Sequence, residues 1–178
     1  MKKFKIIIDI LLFIITIALF NIGLIGNLMH EIFGTAMAIL IIIHIILNFK
    51  WIRQVTKNFK KTNTKTKIMY IVDIFIMIIY LGAIICGILI ANEIFNFHMG
   101  SSLGLVLTHL ILGRLAIITM FIHLGLHLDR IFKKIKNEKL RKLIYVVYIF
   151  IVVGIAIYFI YTLTHSFQWL YAFGKNNW

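Results

Sequence analysis

Long apolar stretches alternate with short polar segments along the chain. Five of the apolar stretches reach about 20 residues, the length that a helix needs to cross a membrane. They are residues 6–29, 32–52, 68–91, 103–128 and 143–163. All are far longer than a β-strand, and none shows the alternating polarity of a membrane barrel. Because only helices and closed barrels satisfy the backbone in lipid, the pattern predicts an all-α, multi-pass transmembrane bundle of five helices.

The composition excludes a water-soluble protein. Hydrophobic residues occupy 62% of the 178 positions, and the mean hydropathy is +1.00, whereas a soluble domain is about 45–50% apolar. A single cysteine rules out a disulfide framework within the chain, and the sequence has no Cys-x-x-Cys-His motif for covalent haem attachment. The first apolar stretch shows no signal-peptide cleavage site, so we expect it to remain as the first helix.

The basic residues are distributed unevenly along the chain. There are 19 Lys and Arg against 6 Asp and Glu, a formal net charge of +13. Seventeen of the 19 lie in three stretches: residues 2–5 before the first span, residues 50–67 from the end of span two to the start of span three, and residues 130–142 between spans four and five. The positive-inside rule therefore predicts a cytoplasmic N-terminus and an external C-terminus. We assign this charge to orientation and to contact with membrane lipid, and expect no nucleic-acid partner.

Two pairs of histidines repeat at one spacing inside the spans. His30 and His44 lie 14 residues apart in span two, and His109 and His123 lie 14 apart in span four. Fourteen residues of helix bring both imidazoles near one face, about 21 Å apart along the axis. Because ionisable residues inside a membrane are costly, these four histidines are the first candidates for function.

The surroundings of the histidines repeat as well. Residues 30–48 align without gaps on residues 109–127, and seven of the 19 paired positions are identical. The chain therefore divides into two helical hairpins and a fifth helix. The predicted domains are a four-helix core over residues 1–130, duplicated as about 1–66 and 67–130, and a segment over 131–178 that carries a basic loop, the fifth helix and an aromatic outer tail.

Spans two and four are expected to run in parallel, which places the histidines at two levels. His30 would lie level with His109 near the outer face, and His44 level with His123 deeper in the membrane. Four histidines so far apart make a poor zinc site, which needs four ligands at one point. Haem iron needs only axial ligands from the protein. The spacing thus predicts two haems b held by these histidines, with polar contacts between helices as the alternative.

Three further residues near the outer level are candidates for cofactor binding. Gly34 and Gly113 each follow an outer histidine by four residues, or one helical turn, and would leave room for a planar macrocycle. The alternative is close helix–helix packing at small residues. Arg114 must either extend to the membrane interface or have an anionic partner at this depth. That partner would be a haem propionate or the carboxylate of Glu31 or Glu93.

Four other polar residues have less defined roles. Asp9 and Asp73 begin spans one and three, where a carboxylate meets the positive helix end and nearby lysines. His127 is an interface residue or an alternate ligand to His123. His98 lies on the outer loop, where it would contact a propionate or a quinone.

The segment from His30 to Ile52, with Asp9 in the first helix, resembles the flavinylation-associated cytochrome family of bacterial membrane proteins. The likeness extends over residues 6–130 and is carried by His30-Glu31, His44 and Asn48-x-x-Trp51. It implies electron transfer through haem b, with the four histidines as axial ligands, often beside extracytoplasmic flavin-bearing proteins. The chain has no flavin-attachment motif, so any flavin would belong to a partner.

Together these observations predict an electron-transfer protein, or a subunit of a membrane oxidoreductase, in the bacterial cytoplasmic membrane. It would link a quinone pool with a redox partner. No Ser/His/Asp arrangement, phosphate loop or paired carboxylates is evident, so no catalytic residue is assigned. Two alternatives remain: a transporter or metal-ion carrier that uses the intramembrane histidines, and a cofactor-free subunit of a larger membrane complex.

Overall fold

A computed structural model describes residues 2–95, 102–132, 135 and 137–175. Within these residues the chain is helical and contains no strand. The helices are α1 (Lys2–Phe20), α2 (Ile22–Lys57), α3 (Thr64–Ile90), α4 (Leu103–Phe132) and α5 (Glu138–Lys175), with a 3-10 turn at Phe59–Lys61. The prediction of an all-α bundle of five helices is confirmed.

Four of the described helices, α2 to α5, are long and apolar enough to cross a membrane. Helix α1 has 19 residues and carries Lys3, Lys5 and Asp9 in its first half. Many large apolar side chains point away from the protein: Ile39, Ile78 and Phe150 are all more than half exposed. A surface of this kind is stable in lipid and unstable in water, so the chain is a multi-pass membrane protein.

The predicted boundary between the first two spans is wrong. The sequence pattern placed it after Met29, whereas α1 ends at Phe20 and α2 begins at Ile22. Asn21 causes the break, because its side-chain amide donates to the Ile17 carbonyl at 2.8 Å and closes the open end of α1. Its own carbonyl accepts from the N–H groups of Leu24 and Ile25, which starts the next turn.

A second break follows at Gly26, where φ is 73° and ψ is 170°. This backbone region is essentially restricted to glycine. We expect Gly26→Ala to lower the free energy of unfolding by about 1–3 kcal/mol, measured by thermal or denaturant unfolding in detergent. Gly23→Ala is the matched control: its Cβ would meet no atom within 4 Å and its backbone is helical. Equal stability of the two variants would contradict the assignment of strain to Gly26.

The chain forms two compact units, Met1–Ile117 and Ile118–Trp178. The first contains α1, α2, α3 and the beginning of α4. Its helices are joined by hydroxyl pairs, Thr16 with Tyr80 at 2.9 Å and Thr56 with Tyr70 at 2.7 Å. Such hydrogen bonds between side chains join helices in an apolar medium, where packing alone gives little specificity.

The second unit contains the rest of α4 and α5. Gly125 permits their close approach, because a Cβ there would lie 2.7 Å from the Tyr148 ring. The Tyr148 hydroxyl donates to the Phe121 carbonyl. This contact satisfies the hydroxyl and fixes α5 against α4 within the unit.

Candidate functional site

A mostly apolar cavity of about 170 Å³ lies inside the first unit. It lies between the end of α1, the first half of α2, the end of α3 and the beginning of α4. Both histidines that were predicted for the outer level line it, and so do both predicted glycines: His30, Gly34, His109 and Gly113. Residues that are distant in sequence thus meet at one site.

The rings of His30 and His109 face each other across α2 and α4. Their centroids are 6.0 Å apart, and their planes cross at 79°. Two imidazoles on opposite sides of one metal ion have centroids roughly 6 Å apart, because each metal–nitrogen bond is about 2 Å long. The same distance also suits an edge-to-face ring contact. The geometry therefore permits both rings to coordinate one ion. The other groups in the cavity help to distinguish coordination from a simple ring contact.

His109 is held in the form that a metal requires. Its Nδ1 lies 2.9 Å from the Ala83 carbonyl, which can only accept, so Nδ1 carries the proton and donates. The lone pair is then on Nε2, as in metal-bound histidines whose second nitrogen is tied to a backbone carbonyl. Gly87 makes this placement possible, since a Cβ there would lie 3.0 Å from His109 Cε1.

His30 contributes a buried nitrogen without a hydrogen bond. Among the residues that the structure describes, no donor or acceptor reaches its Nδ1. A buried polar atom in this state is costly and is uncommon unless a water, ion or ligand completes it. The orphaned nitrogen therefore fits a site that binds a further group beside His30.

Gly34 and Gly113 both border open space. In the described part of the chain, no atom comes within 4 Å of a Cβ built on either residue. Glycines at a tight helix crossing would instead have backbone or side-chain atoms against them. The open space indicates that these two glycines leave a cavity beside the histidines and do not serve as points of direct helix contact.

Glu31, next to His30, fixes the segment that follows α3. Its carboxylate accepts from the backbone N–H groups of Asn92, Glu93 and Ile94, with a shortest distance of 2.7 Å. These bonds tie α2 to the end of α3 beside the cavity and restrain the helix turn that carries His30. From the sequence, Glu31 was considered as a partner for Arg114 and as part of the family resemblance, and its contacts with residues 92–94 were not predicted.

His44, the predicted inner ligand of α2, lies in a polar network. Its Nδ1 is 2.8 Å from Oδ1 of Asp9 on α1. Asn48 donates its side-chain amide to the His44 carbonyl at 2.9 Å and lies 3.4 Å from His44 Nε2. Lys5 donates to Asn48 Oδ1 at 3.2 Å. The carboxylate accepts the Nδ1 proton, which again leaves the lone pair on Nε2.

The remaining predicted residues lie elsewhere. His123 belongs to the second unit, where its ring centroid is 4.5 Å from that of His127, so the pairing of His44 with His123 stays a prediction. Arg114 is half-buried on α4, and it is not among the described residues that line the cavity. His98 falls outside the residues that the structure describes.

Comparisons of the chain with protein-family models, with curated proteins and with solved structures found no match. The fold and the cavity alone therefore define the class: a multi-pass helical membrane protein with a histidine-lined cavity between its helices.

Proposed function

We propose that the protein is a b-type membrane cytochrome that transfers electrons between two haems, each held by two histidines. The observation that carries the proposal is the outer cavity. Two histidines from different helices face each other there, one in the ligand tautomer and one with an orphaned nitrogen. Two glycines leave open space beside them. Haem suits this donor set, because its iron takes only two axial ligands from protein.

The chain's own residues would have distinct tasks at this site. His30 and His109 would bind the iron, and Ala83 would hold the His109 ring in orientation. Gly34 and Gly113 would accommodate the macrocycle, while the apolar walls would exclude water. Haem would supply one-electron chemistry, and the protein would set its position and potential.

The second haem rests on the sequence spacing alone, which predicts His44 and His123 as its ligands. The helix rise places His44 about 21 Å from His30 along α2, so the two levels would divide the membrane between them. We propose that the basic loops face the bacterial cytoplasm and that the outer cavity lies toward the external face. Electrons would then pass between a quinone pool and an extracytoplasmic redox partner. Any flavin would belong to that partner.

The haem content of the purified protein tests this proposal. With ample haem supply during expression, we expect a reduced-minus-oxidised spectrum of b type and about two haems per chain. A variant with alanine at all four predicted ligands, purified in the same detergent, controls for haem that partitions nonspecifically. Absence of a Soret band from the native chain, or an equal haem content in the control, would overturn the proposal.

A further inference from the structure

The chain that follows α3 forms part of the cavity wall. Helix α3 ends at Ile90, and residues 91–95, the wall segment, continue without helical structure. Ala91 and Phe95, at the two ends of this segment, both line the cavity. Ala91 is buried, whereas the three residues between them are exposed. Of the described residues that line the cavity, Ala91 and Phe95 are the two that lie outside the helices.

A side chain of α2 holds the wall segment in place. The N–H of Ala91 still reaches the Ile88 carbonyl, at 3.4 Å. The next three backbone N–H groups instead donate to the Glu31 carboxylate, at distances from 2.7 to 3.2 Å. Hydrogen bonds to a charged acceptor are roughly twice as strong as those between neutral groups. Glu31 therefore takes the place of the backbone acceptors that a continuing helix would supply.

Glu31 also lies beside the proposed haem ligands. It follows His30 directly in α2, and it lines the same cavity as His30 and His109. Its carboxylate binds the backbone of the wall segment. The Glu31 side chain thus joins the helical turn that carries one proposed ligand to a wall of the cavity.

We propose that Glu31 is a positioning residue that holds the wall segment against the cavity and slows the release of haem from the outer site. This inference rests on the proposed function, because it concerns haem bound by His30 and His109. A haem that is buried between helices leaves only when part of the surrounding protein opens locally. The wall segment can open without the loss of helical hydrogen bonds, so the strength of its bonds to Glu31 sets how often it does.

The rate of haem release tests this role. In Glu31→Gln the side chain loses its negative charge, keeps one acceptor oxygen and brings an NH2 group toward the backbone donors. We expect release from the outer site to be about tenfold faster than in the native chain, measured by transfer of haem to excess apomyoglobin. The kinetic phase of the outer site is the one that His109→Ala lacks. Haem content and visible spectrum at saturating haem should stay native, because both ligands remain.

Glu93→Gln is the matched control. It makes the same substitution within the wall segment, but at an exposed side chain, and it leaves the backbone N–H groups unchanged. Its rate of haem release should equal that of the native chain. Phe95→Ala is the complementary variant, because it removes a lining side chain of the wall segment while Glu31 remains. We expect faster release of haem in this variant as well.

Hydrogen–deuterium exchange in the haem-free protein tests the contact itself. The backbone N–H groups of residues 92–94 should be protected in the native chain, because each donates to the Glu31 carboxylate. Glu31→Gln should speed their exchange, and Glu93→Gln should not. The middle of α3 around Ile79, which is buried, serves as the internal reference and should exchange equally in all three proteins.

Four results would contradict this role for Glu31. They are unchanged release of haem in Glu31→Gln, the same acceleration in Glu93→Gln, native release in Phe95→Ala, and unchanged exchange at residues 92–94 in Glu31→Gln. A changed ligand spectrum in Glu31→Gln would also contradict it, since the effect would then lie in iron ligation.

Failure of this inference is distinguishable from failure of the proposed function. A native chain that binds haem but shows unchanged release in the variants would overturn the role of Glu31 alone. Absence of haem from the native chain would overturn the proposed function and this role with it. If Glu31→Gln does not accumulate, Phe95→Ala still decides whether the wall segment controls release.

Discussion

Replacing His109 with alanine is expected to lower the haem content from about two per chain to about one. The substitution removes a proposed haem ligand whose lone pair is directed to Nε2 by the bond from Nδ1 to the Ala83 carbonyl. Axial ligation and the surrounding cavity are the means by which protein holds haem b, so the outer haem should not survive the loss. The measurement is the haem-to-protein ratio after purification, with the visible spectrum as a second readout.

His30→Ala is expected to remove the same haem, because its ring faces that of His109 at 6.0 Å. The double variant should therefore lose no more haem than either single variant, because both side chains are proposed to bind one centre. Combining His30→Ala with His44→Ala should remove both haems. This non-additive pattern distinguishes a shared centre from two independent effects on stability.

A histidine outside the four predicted ligands gives the control. His165→Ala makes the same substitution in the segment over 131–178, outside the predicted four-helix core, and we expect its haem content to match the native chain. Full haem content in His109→Ala, or additive losses in the double variant, would exclude the shared outer site.

The helices were largely predictable from the sequence, because the property that makes each one form, a continuous apolar stretch, lies within the segment itself. Each span is a continuous apolar stretch, and lipid leaves a helix as the simplest way to satisfy the backbone. The break between α1 and α2 was missed, since hydropathy continues through it. Asn and Gly favour turns, and three of them lie close together at this break: Asn21, Gly23 and Gly26. Hydropathy averaged over a span does not detect such single residues.

The outer cavity shows which site residues the histidine spacing could predict and which contacts it could not. The repeat of His and Gly at one interval brought His30, Gly34, His109 and Gly113 forward as a set, and all four line one cavity. The repeat does not predict which group accepts the hydrogen bond from each histidine ring. The acceptor for His109 is the backbone carbonyl of Ala83. Because every residue has a backbone carbonyl, the residue type at position 83 could not predict this contact.

Asp9 was misread for a related reason. From sequence it was assigned to the positive end of its helix and to nearby lysines, which are sufficient partners for a carboxylate in a first turn. Its contact with His44 joins residues 35 positions apart and depends on how α1 and α2 pack. A carboxylate several residues inside an apolar helix is nevertheless a sign that a cationic or donor partner lies on a neighbouring helix.

Filling the cavity is expected to weaken binding of the outer haem without damaging the fold. In Gly113→Leu the new side chain enters space that no described atom occupies within 4 Å of its Cβ. Leucine is also the better helix former, by somewhat less than the roughly 0.8–1 kcal/mol that separates glycine from alanine. The haem-free protein should therefore be at least as stable as the native one in thermal unfolding.

The bound macrocycle, in contrast, would compete with leucine for the same volume. Overfilling a packed site costs about 1–3 kcal/mol, which corresponds to a loss of about 5- to 150-fold in haem affinity. We expect Gly34→Leu to behave alike, because it borders the same cavity. Haem titration into the haem-free protein measures the loss directly, separately from expression yield.

Gly154→Leu on α5 is the matched control. Its Cβ also meets no described atom within 4 Å, but the residue is exposed and does not line the cavity. It should gain the same helix propensity and keep native haem affinity. If Gly34→Leu and Gly113→Leu retain that affinity too, the space beside the histidines is not where the macrocycle lies. Reduced thermal stability of the haem-free variants would instead return these glycines to the role of helix packing.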